Sequence, residues 1–179
     1  NNTREIALGM LLQMNIYRKN EQYKEALNAC DEHYEYCLET NQRLSSFFSL
    51  KEKVEILISI GEMIQARELM QQCLERLPEI KHNKTVTRVL KIAADIARYF
   101  GETEETKQHL VRMKEIAEAF NIHERSSQAV YELTRVYLDE GMSLYNNGME
   151  AEAREKFEMA WSLISQPVKF SYNNINEID

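Results

Sequence analysis

Four times along this chain a run of helix-like residues ends in a short polar turn, and a small residue follows five positions after the turn's centre. The centres are Glu21, Gly61, Gly101 and Gly148, and the small residues are Ala26, Ala66, Thr106 and Ala153. The centres are separated by 40, 40 and 47 residues. A fixed period of this length marks a unit that cannot bury its own apolar face and must stack on its neighbours. The chain is thereby restricted to an array of supersecondary units.

The units are helical. On either side of each turn, apolar residues recur at intervals of three and four. Leu8, Leu11, Leu12 and Ile16 precede the first turn, and Ala26, Ala29, Cys30, His33 and Cys37 follow it. The same period flanks Gly61 with Leu50, Val54, Leu57 and Ile58, then Ala66, Leu69, Met70 and Cys73. It returns around Gly101 and around Gly148, which makes eight amphipathic segments. Only five glycines and two prolines interrupt 179 residues, and alternating β-branched runs are missing. Helices are predicted near 3–19, 22–39, 42–60, 62–77, 84–100, 103–120, 124–146 and 149–165. Asn2 with Glu5 reads as a capping pair, Thr103 as the cap of the sixth helix and Asn121 as a left-handed terminator. Pro78 and Pro167 are expected to stop the fourth and eighth helices.

These residues resemble the tetratricopeptide repeat family. Leu50, Leu57, Ala66, Met70, Cys73 and Pro78 stand at its signature positions in the second pair, and Tyr137, Gly141, Leu144, Ala153, Phe157 and Ala160 in the fourth. The first pair contributes Met10, Met14, Tyr17, Ala26 and Cys30, and the third Leu90, Ala94, Ala97, Thr106 and Leu110. The period exceeds the family's usual repeat of about 34 residues, which suggests the branch with longer helices. The resemblance implies an all-α, right-handed α-α superhelix of about four helix pairs over residues 1–166, with a lead-out over 167–179. It also implies a binding module without chemistry of its own.

Residue chemistry agrees with a non-enzyme. No HExxH, nucleophile elbow or Gly-rich phosphate loop is present. Cys30, His33 and Cys37 share one helix face and could hold zinc, but they occupy inward packing positions and lack a fourth ligand, so core is the stronger reading. Neither a metal nor a cofactor is expected. Three cysteines within helical patterns point to reduced thiols and a cytoplasmic setting. A net charge of −7 disfavours nucleic acid, and no apolar stretch is long enough for a membrane span. The chain opens at Asn1 and is expected to be a piece of a longer protein.

In the resembled family the first helix of each pair lines a concave groove. Projected here, that groove carries Asn15, Arg18, Lys19, Lys51, Glu55, Arg88, Lys91, Asp95, Arg98, Arg135, Met142 and Tyr145. Seven of these are basic and two acidic, a surplus of five positive charges on an acidic chain. The expected partner is a protein or peptide, with an acidic segment suited to Arg88, Lys91, Arg98 and Arg135. Asp95 within this row can instead pair with Lys91 or Arg98 and turn the stripe into a salt-bridged face. Two other classes fit the same features: a sensory domain controlling an attached catalytic or DNA-binding domain in signal transduction, and a scaffold for homodimerisation.

Overall fold

The computed structural model describes residues 2–165. The expected stop at Pro167 and the lead-out over 167–179 lie outside the described residues. The described chain is all helical: α1 (Asn2–Lys19), α2 (Tyr23–Glu39), α3 (Arg43–Ser59), α4 (Met63–Arg76), α5 (Asn83–Tyr99), α6 (Thr103–Ala119), α7 (His123–Asn146) and α8 (Glu150–Ser165). Every predicted boundary falls within one residue of the observed one.

The turns explain that accuracy. Among the described residues six have left-handed backbone: Glu21, Asn41, Gly61, Gly101, Asn121 and Gly148, with φ between 53° and 85°. Each ends a helix with the same two reversed hydrogen bonds. At the first, the Glu21 N–H donates to the Arg18 carbonyl at 3.1 Å and the Gln22 N–H to the Tyr17 carbonyl at 2.9 Å. At Gly101 the pair is Gly101 to Arg98 and Glu102 to Ala97. This is the Schellman arrangement, which satisfies carbonyls that a helix end leaves open. The residue after each left-handed position then accepts the first bond of the next helix, from Ala26, Ser46, Ala66, Thr106, Ser126 or Ala153. All six of these small residues are buried. The small-residue signal thus repeats at both kinds of turn, within pairs and between them, and Ser46 and Ser126 had escaped the glycine-centred reading.

Two caps differ from expectation. Thr103 is the first helical residue of α6, and Glu102 holds the cap position without a side-chain bond. Asn2 is likewise the first residue of α1 rather than the residue before it. At the α6 start the Thr103 N–H donates to the Gly101 carbonyl at 3.0 Å within the turn. At the α4–α5 connection Pro78 sits in a 3-10 turn, Leu77–Glu79, directly after α4.

The helices fall into two compact units, one ending at Lys81 and the other beginning at His82. In the first, α2 packs against α1 and α3, and α3 against α4. In the second, consecutive helices from α5 to α8 pack in the same manner. A cluster of Met14, Ala26, Ala29, Cys30 and Ile56, covered by Leu11, Tyr17, Tyr23 and Leu27, fills part of the first unit. Close approach depends on small residues. A methyl group added at Gly141 of α7 would lie 2.6 Å from a ring carbon of Phe157 on α8. Ala66, fully buried at the start of α4, has the same role. Ala66→Leu is expected to overpack this contact and cost about 1–3 kcal/mol. An unchanged urea midpoint would show that the site has room to spare.

Candidate functional site

The face of α2 that bears Cys30, His33 and Cys37 points inward, and all three residues are buried. The His33 ring connects two elements: its Nδ1 lies 2.6 Å from Ser49 Oγ on α3, and its Nε2 lies 3.4 Å from Cys37 Sγ. A neutral imidazole needs one donor and one acceptor neighbour, and a hydroxyl and a thiol can supply either. Burial pushes the thiol pKa of Cys30 up to about 12 and raises that of Cys37, so neither is a ready thiolate. No group of His, Cys, Asp and Glu among the described residues is arranged to hold a metal ion.

Burial also holds the His33 pKa below its usual value, opposed in part by a hydrogen bond to the Ala7 backbone. The unfolded chain therefore takes up this proton more readily than the folded one. The corresponding stability is present above the unfolded pKa, about 6.5, and is lost as pH falls below it. Between about pH 7.5 and 5.5 the urea midpoint is expected to drop, and His33→Gln is expected to flatten that slope. Equal slopes for both proteins would remove His33 as the titrating group.

Seven of the twelve projected groove residues are brought together in two separate groups, one in each unit. In the first, Arg18 on α1 reaches α3, where it pairs with Glu52 at 3.1 Å and hydrogen-bonds Glu55. Lys51 bonds both Glu52 and Glu55, the latter at 3.1 Å, and Asn15 Oδ1 accepts from Arg18 at 3.4 Å. Lys51 and Glu52 are themselves buried. In the second unit Lys91 bonds Asp95 at 2.6 Å and lies 3.5 Å from Glu132 on α7. Arg98 pairs with the same Glu132 at 2.6 Å and lies 3.7 Å from Asp95. Desolvation alone would raise the Glu132 pKa, but the charges and hydrogen bonds of Lys91 and Arg98 outweigh it and hold the carboxyl low.

Both groups are one device used twice. Arg18–Glu52 and Arg98–Glu132 are separated by the same interval in sequence, and the second pair stands two repeats after the first. Each group holds two cations and two anions. Glu52 and Glu132 were absent from the projection, and counting them lowers the surplus from five positive charges to three. The charges of Arg18, Lys91 and Arg98 are taken up in tying α1 to α3 and α5 to α7, and that of Lys51 in pairs within α3.

What remains outward on α7 is of another kind. Tyr131, Leu138, Met142 and Tyr145 are each more than two-fifths exposed. The Arg135 guanidinium lies between them in the row, 5.9 Å from the centre of the Tyr131 ring. The row 131, 135, 138, 142, 145 advances by four and three alternately, so it forms one stripe along the helix. It lies beside the Lys91–Arg98 row of α5, to which Glu132 ties it. Arg88 is exposed near the start of α5. Tyr131 and Leu138 are the members of this stripe that sequence reasoning missed. Their positions, one repeat after Lys91 and Arg98, were the available signal.

No family model matches the sequence, and no curated protein matches it significantly. Two solved structures are similar in architecture. A structure described as that of MamA protein is 15% identical with a TM-score of 0.49, over 90% of this chain and 91% of its own. A second MamA structure is 14% identical with a TM-score of 0.45, over 84% of this chain and 94% of its own.

Proposed function

We propose that this chain is a non-catalytic protein- or peptide-binding module of the long tetratricopeptide type, and that it binds through the α5–α7 surface of its second unit. The observation that carries the reading is the exposed stripe on α7. Tyrosine, methionine and arginine are among the residues enriched at protein interfaces, and here they share one exposed helix face. An alternation of four and three matches the seam along which a second helix packs in a coiled coil. An amphipathic helical segment is therefore the partner that fits, its apolar edge on Tyr131, Leu138, Met142 and Tyr145. An acidic side chain in that segment would meet Arg135, and Arg88 would serve its end nearer the start of α5. Lys91, Asp95 and Arg98 border the stripe with a polar rim, and their bridges hold α5 and α7 at fixed separation. In this reading Asn15, Arg18 and Lys51 maintain the equivalent separation in the first unit.

A photo-crosslinking residue placed at Met142 or Tyr145 tests the surface. Adducts with a discrete partner are expected from these two positions, reduced by Tyr131→Ser, and none from Glu115 on the exposed side of α6. Adducts from Glu115 alone, or equal yields from all three positions, would move the interface elsewhere.

A further inference from the structure

The second unit contains a cavity of about 530 Å³ where the α5–α6 turn meets α7 and α8. Chain length explains its presence. Helix α7 has 24 residues against 17 in α3 and in α6. Seven further residues extend a helix by about 10 Å. That extension carries Glu140, Ser143 and Leu144 beyond the start of α6 and leaves a ledge under the turn. The first unit fills the corresponding space. Two repeats before Thr103 and Val136 stand Tyr23 and Ile56, both packed into the Met14–Cys30 cluster.

The lining is amphipathic in a definite order. Val136, which is buried, and Leu144, which is half-buried, offer apolar surface, and Thr103 and Ser143 offer hydroxyls. The cations facing the space are engaged. Arg98 is held by Glu132 at 2.6 Å, and Lys156 lies 3.0 Å from Glu140, which also accepts from Lys107 at 2.7 Å. Those two lysines hold the Glu140 carboxyl below its usual range although burial alone would raise it. Asp139 differs: it is exposed and has no ion-pair partner among the described residues.

We infer that this cavity is a binding site for a primary alkylammonium group, its methylene stem against Val136 and Leu144 and its charge on Asp139. An ammonium group has three N–H donors and no acceptor. The Asp139 carboxylate and the Thr103 and Ser143 hydroxyls are acceptors of the matching kind. An anion would face an uncompensated carboxylate and cations already paired. The group can belong to a lysine side chain of a partner protein or to a free diamine. Only Arg98 is common to this cavity and the α5–α7 surface, so the two readings stand or fall separately.

The test is an amide chemical-shift titration of the full chain with 1,4-diaminobutane and, separately, with N-acetyl-lysinamide at millimolar concentration. Movement is expected at Thr103, Asp139, Ser143 and Leu144, with Tyr23 and Ile56 still. Asp139→Asn is expected to weaken both ligands at least fivefold, while Glu75→Gln on α4 leaves them unchanged. Tighter binding of the diamine assigns the site to free polyamines, and tighter binding of the lysinamide assigns it to protein lysines. The inference is overturned if N-acetyl-aspartate moves the same amides more strongly, if neither amine moves them, or if Asp139→Asn changes affinity less than twofold.

Discussion

Phe47→Ala is expected to lower the stability of the first unit by about 3–5 kcal/mol, the range for deleting a fully buried aromatic ring. Phe47 has no exposed surface. Its ring meets Phe48 edge-on at 6.0 Å and lies 5.9 Å beneath the Arg76 guanidinium. Arg76 in turn donates to the Arg43 carbonyl at 2.6 Å and to Ser46 Oγ at 3.2 Å, which closes the end of α4 onto the start of α3. Loss of the ring leaves a cavity and removes the surface on which that guanidinium rests. Urea denaturation gives the size of the loss, and faster amide exchange in α3 and α4 gives its place. Phe47→Leu retains most of the volume and should cost about a third as much. A loss below about 1 kcal/mol for Phe47→Ala would mean that neighbouring side chains close the space.

Glu52→Leu is expected to cost about 3 kcal/mol, because it leaves Lys51 charged, buried and short of a partner. The figure sits at the low end for a broken buried pair, since Glu55 remains within 3.1 Å of the Lys51 ammonium. The double variant Lys51→Met with Glu52→Leu should recover most of the loss, because two apolar side chains need no compensation in that setting. Recovery separates an unpaired charge from a simple packing defect. If the double variant is as unstable as the single one, α1 and α3 are held mainly by the shape of these side chains.

The helix boundaries were legible because the residues that end them are chemically distinct. Gly61, Gly101, Gly148 and Asn121 tolerate left-handed backbone, and buried small residues stand at fixed offsets behind them. Glu21 adopts the same conformation without being glycine or asparagine, so it could be placed only by counting back one period from Gly61. Which of the projected residues share a helix face was legible, but which of their charges stay unpaired was not. Which cations remain available depends on the neighbouring helix, and Glu52 and Glu132 reach across from there. A charge count restricted to one face of each helix cannot register that. The ledge beneath the α5–α6 turn was visible only as an interval of 47 where 40 was the rule. An interval reports that residues have been added, not on which side of a turn they extend.

The overlap at each turn, where the residue closing one helix also opens the next, leaves the connections with no slack. Added length has to be absorbed inside a helix, and there only certain lengths are tolerated. Seven residues turn a helix through about 700°, about 20° short of two full revolutions, so everything downstream keeps its face toward the core. Five residues would rotate it by about 140° and carry the buried side outward. The seven extra residues of α7 satisfy this arithmetic. Relatives of this chain should therefore differ in length by steps of three, four or seven residues within helices, and rarely at the turns.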